Sequence, residues 1–171
     1  GEVASLVDFS PGIGLTGSRF VVTDLAGDFK QDVLFGDADG DIWSYEFEAG
    51  GFIPNILLEG PDDTDATIIG GGQDLDGDGK IEFAVARAFV NEEDELNGWW
   101  DLEIYESTGN NQIALEWVQR ISGVAIVGNG ISTGDLDGDG RPELVVALNP
   151  DLYVIRADGP DTYRPIFHTE I

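Results

Sequence analysis

Asp135-Leu136-Asp137-Gly138-Asp139-Gly140-Arg141-Pro142-Glu143, followed by Leu144-Val145-Val146-Ala147, packs four carboxylates into nine residues and then runs into an apolar stretch. Acids at alternate positions 1, 3 and 5 turn toward one point, and the glycine at position 6 permits the sharp bend that gathers them. Crowded carboxylates repel one another and are costly to desolvate, so the stretch demands a cation. A large, oxygen-only ligand set selects a hard ion of flexible geometry. Calcium accepts six to eight oxygens at about 2.3–2.6 Å, whereas magnesium prefers a tighter octahedron and keeps its waters. Position 7, Arg141, is expected to offer its backbone carbonyl while its side chain points outward.

The same frame recurs upstream. Asp74-Leu75-Asp76-Gly77-Asp78-Gly79-Lys80-Ile81-Glu82 leads into Phe83-Ala84-Val85-Ala86, with Lys80 at position 7. Asp24-Leu25-Ala26-Gly27-Asp28-Phe29-Lys30-Gln31-Asp32 leads into Val33-Leu34-Phe35-Gly36. In this first copy Ala26 replaces the second acid and Phe29 the loop glycine, which leaves Asp24, Asp28 and Asp32 for an empty or weak site. Starts at 24, 74 and 135 lie 50 and 61 residues apart, so the chain is a repeat. An EF-hand opens with the same spacing but requires a bidentate Glu at position 12. Here Val85 and Val146 stand there, within strand-like sequence, and the last acid falls at position 9 as Glu82 and Glu143. The loops therefore join two strands, not two helices.

Each repeat reads as four short strands. The first offers 19–22, 33–35, 42–47 and 53–58; the second 66–69, 81–90, 101–105 and 114–118; the third 130–133, 143–148, 152–155 and 163–171. Gly, Asp and Asn divide these runs, and Asp39-Gly40, Asn97-Gly98 and Asp158-Gly159 supply hairpin chemistry. No helical periodicity is present, and 91–97 reads as an acidic loop. Four strands in roughly 50 residues is the arithmetic of a propeller blade, of which a closed ring needs about four to eight. The expected fold is all-β: three four-stranded antiparallel propeller-type blades, open, at 18–62, 63–125 and 126–171. Residues 1–17 form an N-terminal arm with a strand at Ser5–Phe9.

Gly130 to Ala147, with Ser132, Gly134 and the Asp135–Glu143 loop, resembles an FG-GAP or VCBS repeat, the calcium-loop blade of integrin α-subunit propellers and many bacterial surface proteins. Residues from Ile69-Gly70-Gly71-Gly72 through Ala86 are similar, and the resemblance extends over 18–171. Its loops usually end in Asp where this chain has Glu, a longer carboxylate that can still reach the ion. The resemblance implies calcium held by Asp74, Asp76, Asp78, Lys80 and Glu82, and by Asp135, Asp137, Asp139, Arg141 and Glu143. It further implies an extracellular or cell-surface module for adhesion or assembly.

Composition narrows the partners. The 171 residues carry 34 acids against 8 Lys plus Arg, a net charge of −26, which repels phosphate backbones and anionic lipid. Nucleic-acid binding and membrane insertion are therefore not expected. With 42% hydrophobic residues the chain is too apolar for disorder. Cysteine is absent, which removes thiol catalysis and thiolate metal sites, and the lack of Met is read as a mature or excised product. Asp37, Asp39 and Asp41 alternate but flank a hairpin turn and are read as turn formers. His168, the single His, has no nucleophile near it in sequence, so no enzyme is expected. Trp99 and Trp100 should face opposite sides of a strand, with one of them a candidate glycan or protein contact. Expected partners are calcium, other copies of the chain or the remainder of a larger propeller, and a protein or glycan ligand. Two further readings stand beside adhesion: a self-assembling filament or ring subunit, and a carbohydrate-directed appendage of an extracellular enzyme.

Overall fold

The computed structural model describes residues 19–48, 50–61, 64–89, 98–122, 128–148 and 150–170. The expected strand at Ser5–Phe9 and the acidic loop at 91–97 lie outside them. The described chain is all-β. Strands β1 (Phe20–Thr23), β2 (Asp32–Gly36), β3 (Ile42–Glu48) and β4 (Gly51–Leu58) form one antiparallel sheet in chain order. A second sheet contains β5 (Thr64–Gln73), β6 (Glu82–Phe89), β7 (Trp99–Gly109) and β8 (Gln112–Ser122). A third contains β9 (Gly128–Gly134), β10 (Glu143–Leu148), β11 (Asp151–Gly159) and β12 (Thr162–Glu170). The sheets do not close on one another, and the arrangement is an open, propeller-like fan of three blades.

Alternation explains why the second sheet lies in the middle. On β6, Phe83 and Val85 join Val21, Leu34 and Ile42 in the core shared with the first sheet. Their neighbours Ala84, Ala86 and Ala88 join Ile131, Leu144 and Val146 in the core shared with the third. A period of two therefore buries both faces of one strand. Small alanines line one side of the strand and the larger Phe83 and Val85 the other.

The inner strands β1, β5 and β9 converge. Glycines set how closely. A Cβ on Gly70 would fall 2.6 Å from the Ile131 carbonyl oxygen, and one on Gly72 would fall 2.4 Å from Val21 Cγ1. Side chains at these two positions would push the first and third blades away from β5. The run Ile69-Gly70-Gly71-Gly72 is thus a packing device as well as a strand.

The outer hairpins turn on left-handed residues. Asn111 (φ 54°) closes β7–β8 and Asp161 (φ 55°) closes β11–β12. Asp158-Gly159, expected to be a turn, instead ends β11, and the reversal occurs at Pro160-Asp161. Each of these turns reaches back to the preceding blade: Ser44 Oγ donates to Asn111 Oδ1 at 3.0 Å, and Asp161 N–H donates to Asp76 Oδ2 at 2.8 Å.

Candidate metal centre

All three acidic loops join the first and second strands of a blade, and they share one backbone plan. Position 4 has positive φ in each, at Gly27 (72°), Gly77 (85°) and Gly138 (80°). Position 6 does so too, at Gly79 (94°), Gly140 (93°) and Phe29 (68°). Phenylalanine in the left-handed region is strained, and its ring is 96% exposed. The first loop therefore keeps the shape of its siblings without the residue that makes that shape easy.

In the second loop the first acid organises the turn. Asp74 accepts from Gly77 N–H (2.7 Å) and Gly79 N–H (3.0 Å), while Asp76 Oδ1 accepts from Asp78 N–H (3.0 Å) and Asp78 from Lys80 N–H (2.8 Å). The last acid anchors the loop from the strand. Glu82 Oε2 accepts from Leu75 N–H at 2.6 Å, and the residue is fully buried. The third loop repeats this plan: Asp135 accepts from Gly138 and Gly140 N–H, and Glu143 accepts from Leu136 N–H at 2.8 Å. In the first loop Asp24 accepts from Asp28 and Phe29 N–H, and Asp32 from Leu25 N–H at 2.9 Å.

The charge balance separates the loops. Register places Glu106 of β7 opposite Glu82, and Glu46 of β3 opposite Asp32. The corresponding place in the third blade holds Arg156, whose Nε donates to Glu143 Oε1 at 3.0 Å and whose Nη2 pairs with Asp137. That loop carries its own cation. In the first blade Lys30 Nζ reaches Glu46 at 2.8 Å and Asp28 at 3.0 Å. In the second, Lys80 Nζ lies 2.5 Å from Glu106 Oε1 and 3.2 Å from Asp78. The Lys80 side chain is exposed and at the same time reaches these two carboxylates; Arg141 is exposed as well.

One ammonium does not balance the second loop. Glu82 Oε1 and Glu106 Oε2 are both buried with no hydrogen-bond partner among the described residues. Burial, reinforced by Asp76, Asp74 and Asp78, pushes the Glu82 carboxyl up to about 8 from its ordinary value near 4.5. Burial also raises Glu106, against the pull of Lys80. Asp74, Asp76 and Asp78 bring carboxylate oxygens within 4.8 Å of one another, as do Asp78, Glu82 and Glu106. Orphaned buried carboxylate oxygens beside converging acids are what a hard cation would satisfy, so the donor set fits one. In the third loop Asp135, Asp137 and Glu143 converge in the same way, without Asp139 in that group.

These loops, their spacing and the strands behind them decide the kinship. Residues 74–146 match the FG-GAP-like repeat family. This segment is similar to an FG-GAP-like repeat. It opens on the first acid of the second loop, contains the whole third loop, and ends within β10. No curated protein matches the chain.

Asp37 is buried and accepts from Asp41 N–H (2.9 Å) and Trp43 Nε1 (2.8 Å), which holds the β2–β3 turn; Asp37, Asp39 and Asp41 also converge. Trp100 lies in the core between the second and third blades. Trp99 is half-buried, with Phe89 stacked at 4.9 Å and the Arg120 guanidinium 4.7 Å from its ring centre. His168, exposed on β12, stacks on Tyr153 at 4.4 Å and contacts Asp151 through Nε2 at 2.6 Å. Glu106, Arg156 and Asp161 went unnoticed in the sequence because none belongs to the loop motif. Only strand register and the turn at Pro160-Asp161 bring them to it.

Proposed function

We propose that the protein is a calcium-stabilised, propeller-type module of the extracellular space or cell surface, acting in adhesion or surface assembly and not in catalysis. The observation that carries this reading is the second loop, where buried oxygens of Glu82 and Glu106 lack partners beside converging acids. Asp74, Asp76, Asp78 and Glu82 would hold the ion, with the Lys80 carbonyl as a further oxygen. The bound ion supplies positive charge and no redox chemistry. The chain does the rest: the loop fixes the β5–β6 junction, and Asp76 ties that junction to the third blade through Asp161. With a dissociation constant on the order of 10⁻⁴ M, about 1 mM calcium stabilises such a site by roughly 1.4 kcal/mol.

The open fan favours a second reading, in which copies of the chain assemble head to tail. Phe20 and Val22 on β1 are 67% and 53% exposed and alternate with Val21, which packs in the core shared with the second blade. A heterologous contact of this type closes into a ring or grows as a filament. The test is light-scattering mass and melting temperature in calcium and in chelator, for the natural chain and for Asp76→Ala with Asp137→Ala. A calcium-dependent melt that the double variant loses supports the ion sites; an unchanged melt in chelator overturns them. A mass near 18.4 kDa in calcium supports a module that acts alone or within a longer chain. A much larger species in calcium supports self-assembly.

A further inference from the structure

We propose a second divalent-cation site, outside the loop motif, at the seam between the second and third blades, formed by Glu106, Glu116 and Asp161. It rests on the reading of this end of the molecule as a calcium-dependent face and shares Glu106 with the acids around the second loop, whereas Glu116 and Asp161 belong to the seam alone. The three carboxylates come from three elements, β7, β8 and the β11–β12 turn, and place oxygens within 4.8 Å of one another. Two belong to the second blade and one to the third, so an ion here bridges blades, whereas the loop ion lies within one.

Three observations point to a ligand. Glu106 is only 2% exposed, and its Oε2 has no hydrogen-bond partner among the described residues, while Lys80 occupies Oε1. Tyr163 OH, on β12 two residues after Asp161, is also buried and has no hydrogen-bond partner among the described residues, and Tyr163 lies in the field of Glu82, Asp76, Asp161 and Glu106. Neither Glu116 nor Asp161 forms an ion pair among the described residues. Three carboxylates thus face one ammonium. Asp161 is held in place by its own N–H on Asp76 Oδ2, which fixes the third blade's contribution. Glu116 is half-buried and Asp161 exposed, so one side is open to the water molecules that complete the shell of a hard ion. An all-carboxylate set with water access fits a calcium-class cation.

Calcium titration calorimetry on the full chain tests the proposal with two seam variants and one loop variant. Glu116→Gln and Asp161→Asn each remove a seam ligand; Asn also tolerates the left-handed turn at 161. Asp74→Asn removes a ligand of the second loop only. Each seam variant is expected to lower the stoichiometry by one ion per chain while leaving the loop phase in place, and Asp74→Asn to remove a different phase. Unchanged isotherms for both seam variants overturn the seam site and leave the loop reading standing. Loss of a phase in the seam variants with no change in Asp74→Asn keeps the seam site and overturns the second-loop ion instead. Melting curves in chelator check folding; a seam variant that has lost its cooperative melt is read through its partner variant.

Discussion

Glu82 stands where burial and charge conflict most. Its Oε2 fastens Leu75 N–H, its Oε1 has no partner among the described residues, and burial, reinforced by three loop aspartates, raises its affinity for a proton. The sign of the linkage follows. A carboxyl with a folded value near 8 and an ordinary value near 4.5 adds stability at low pH, and that contribution is lost as pH rises from about 4.5 through 8. In chelator the melting temperature is therefore expected to fall between pH 5 and 8. Glu82→Gln, which keeps an acceptor for Leu75 N–H, should remove that fall and raise the melting temperature in chelator at pH 8. The same variant should lose most of the calcium increment, itself about 3–6 °C for a site worth roughly 1.4 kcal/mol in a chain of this length. A natural chain whose melt is flat from pH 5 to 8 in chelator would contradict the assignment. The role of Glu82 was half legible in the sequence. Position 9 of the motif marked it as an acid of the loop, but nothing in nine residues shows that Glu106 lies opposite.

Among the elements, the hairpin after each loop decides how that loop is balanced. The β6–β7 pair sets Glu106 against Glu82, while β11 brings Arg156 onto Glu143 and Asp137. Two loops that read as near-identical are thereby different sites. An ion entering the third must displace a guanidinium held by two carboxylates. Arg156→Gln is expected to tighten calcium binding there by about tenfold or more, corresponding to about 1.4 kcal/mol or more, and to destabilise the chelated protein. A titration in which Arg156→Gln binds no more tightly than the natural chain would remove this distinction. The strands themselves were legible because β-branched and aromatic runs alternate between Gly, Asp and Asn breaks. The error at Asp158-Gly159 has a local cause: Asp-Gly is a good turn former, yet Pro160 fixes φ and Asp161 tolerates the left-handed region, which moves the reversal two residues on. Trp99 was read correctly as to face, but Phe89 and Arg120 pack against it, and only the pairing of β6, β7 and β8 brings those two to it.

For the whole molecule, repeat length and strand count carried the architecture, since three four-stranded units follow from three motifs and the runs between them. The order in which the blades pack was not legible, because it depends on contacts between residues far apart in sequence. Arg87 illustrates this. It is fully buried in the second blade, bonds Glu103 at 3.1 Å, and reaches the Gly40 carbonyl of the first blade at 2.5 Å. No local pattern announces such a residue. Nor does the net charge of −26 show where acids cluster; the structure gathers many of them at the loop end of the blades, where cations are proposed.

The double-sided burial of β6 has a kinetic meaning. The apolar cores join each blade to its neighbour, with Arg19 of the first blade also lying beside Gly130 of the third, so stability here behaves mainly as a sum of blade terms and couplings across two apolar seams. The middle blade owns both couplings and each flank only one. Opening is then expected to begin at the flanks, with β4 and β12 exchanging their amide hydrogens soonest and the amides of Ala84 to Ala86 latest. Uniform exchange across the three sheets would instead mark a single cooperative unit. If the flanks do unzip first, a blade docked against either of them, from this chain's continuation or from another copy, would slow exchange deep in the molecule without touching the middle blade.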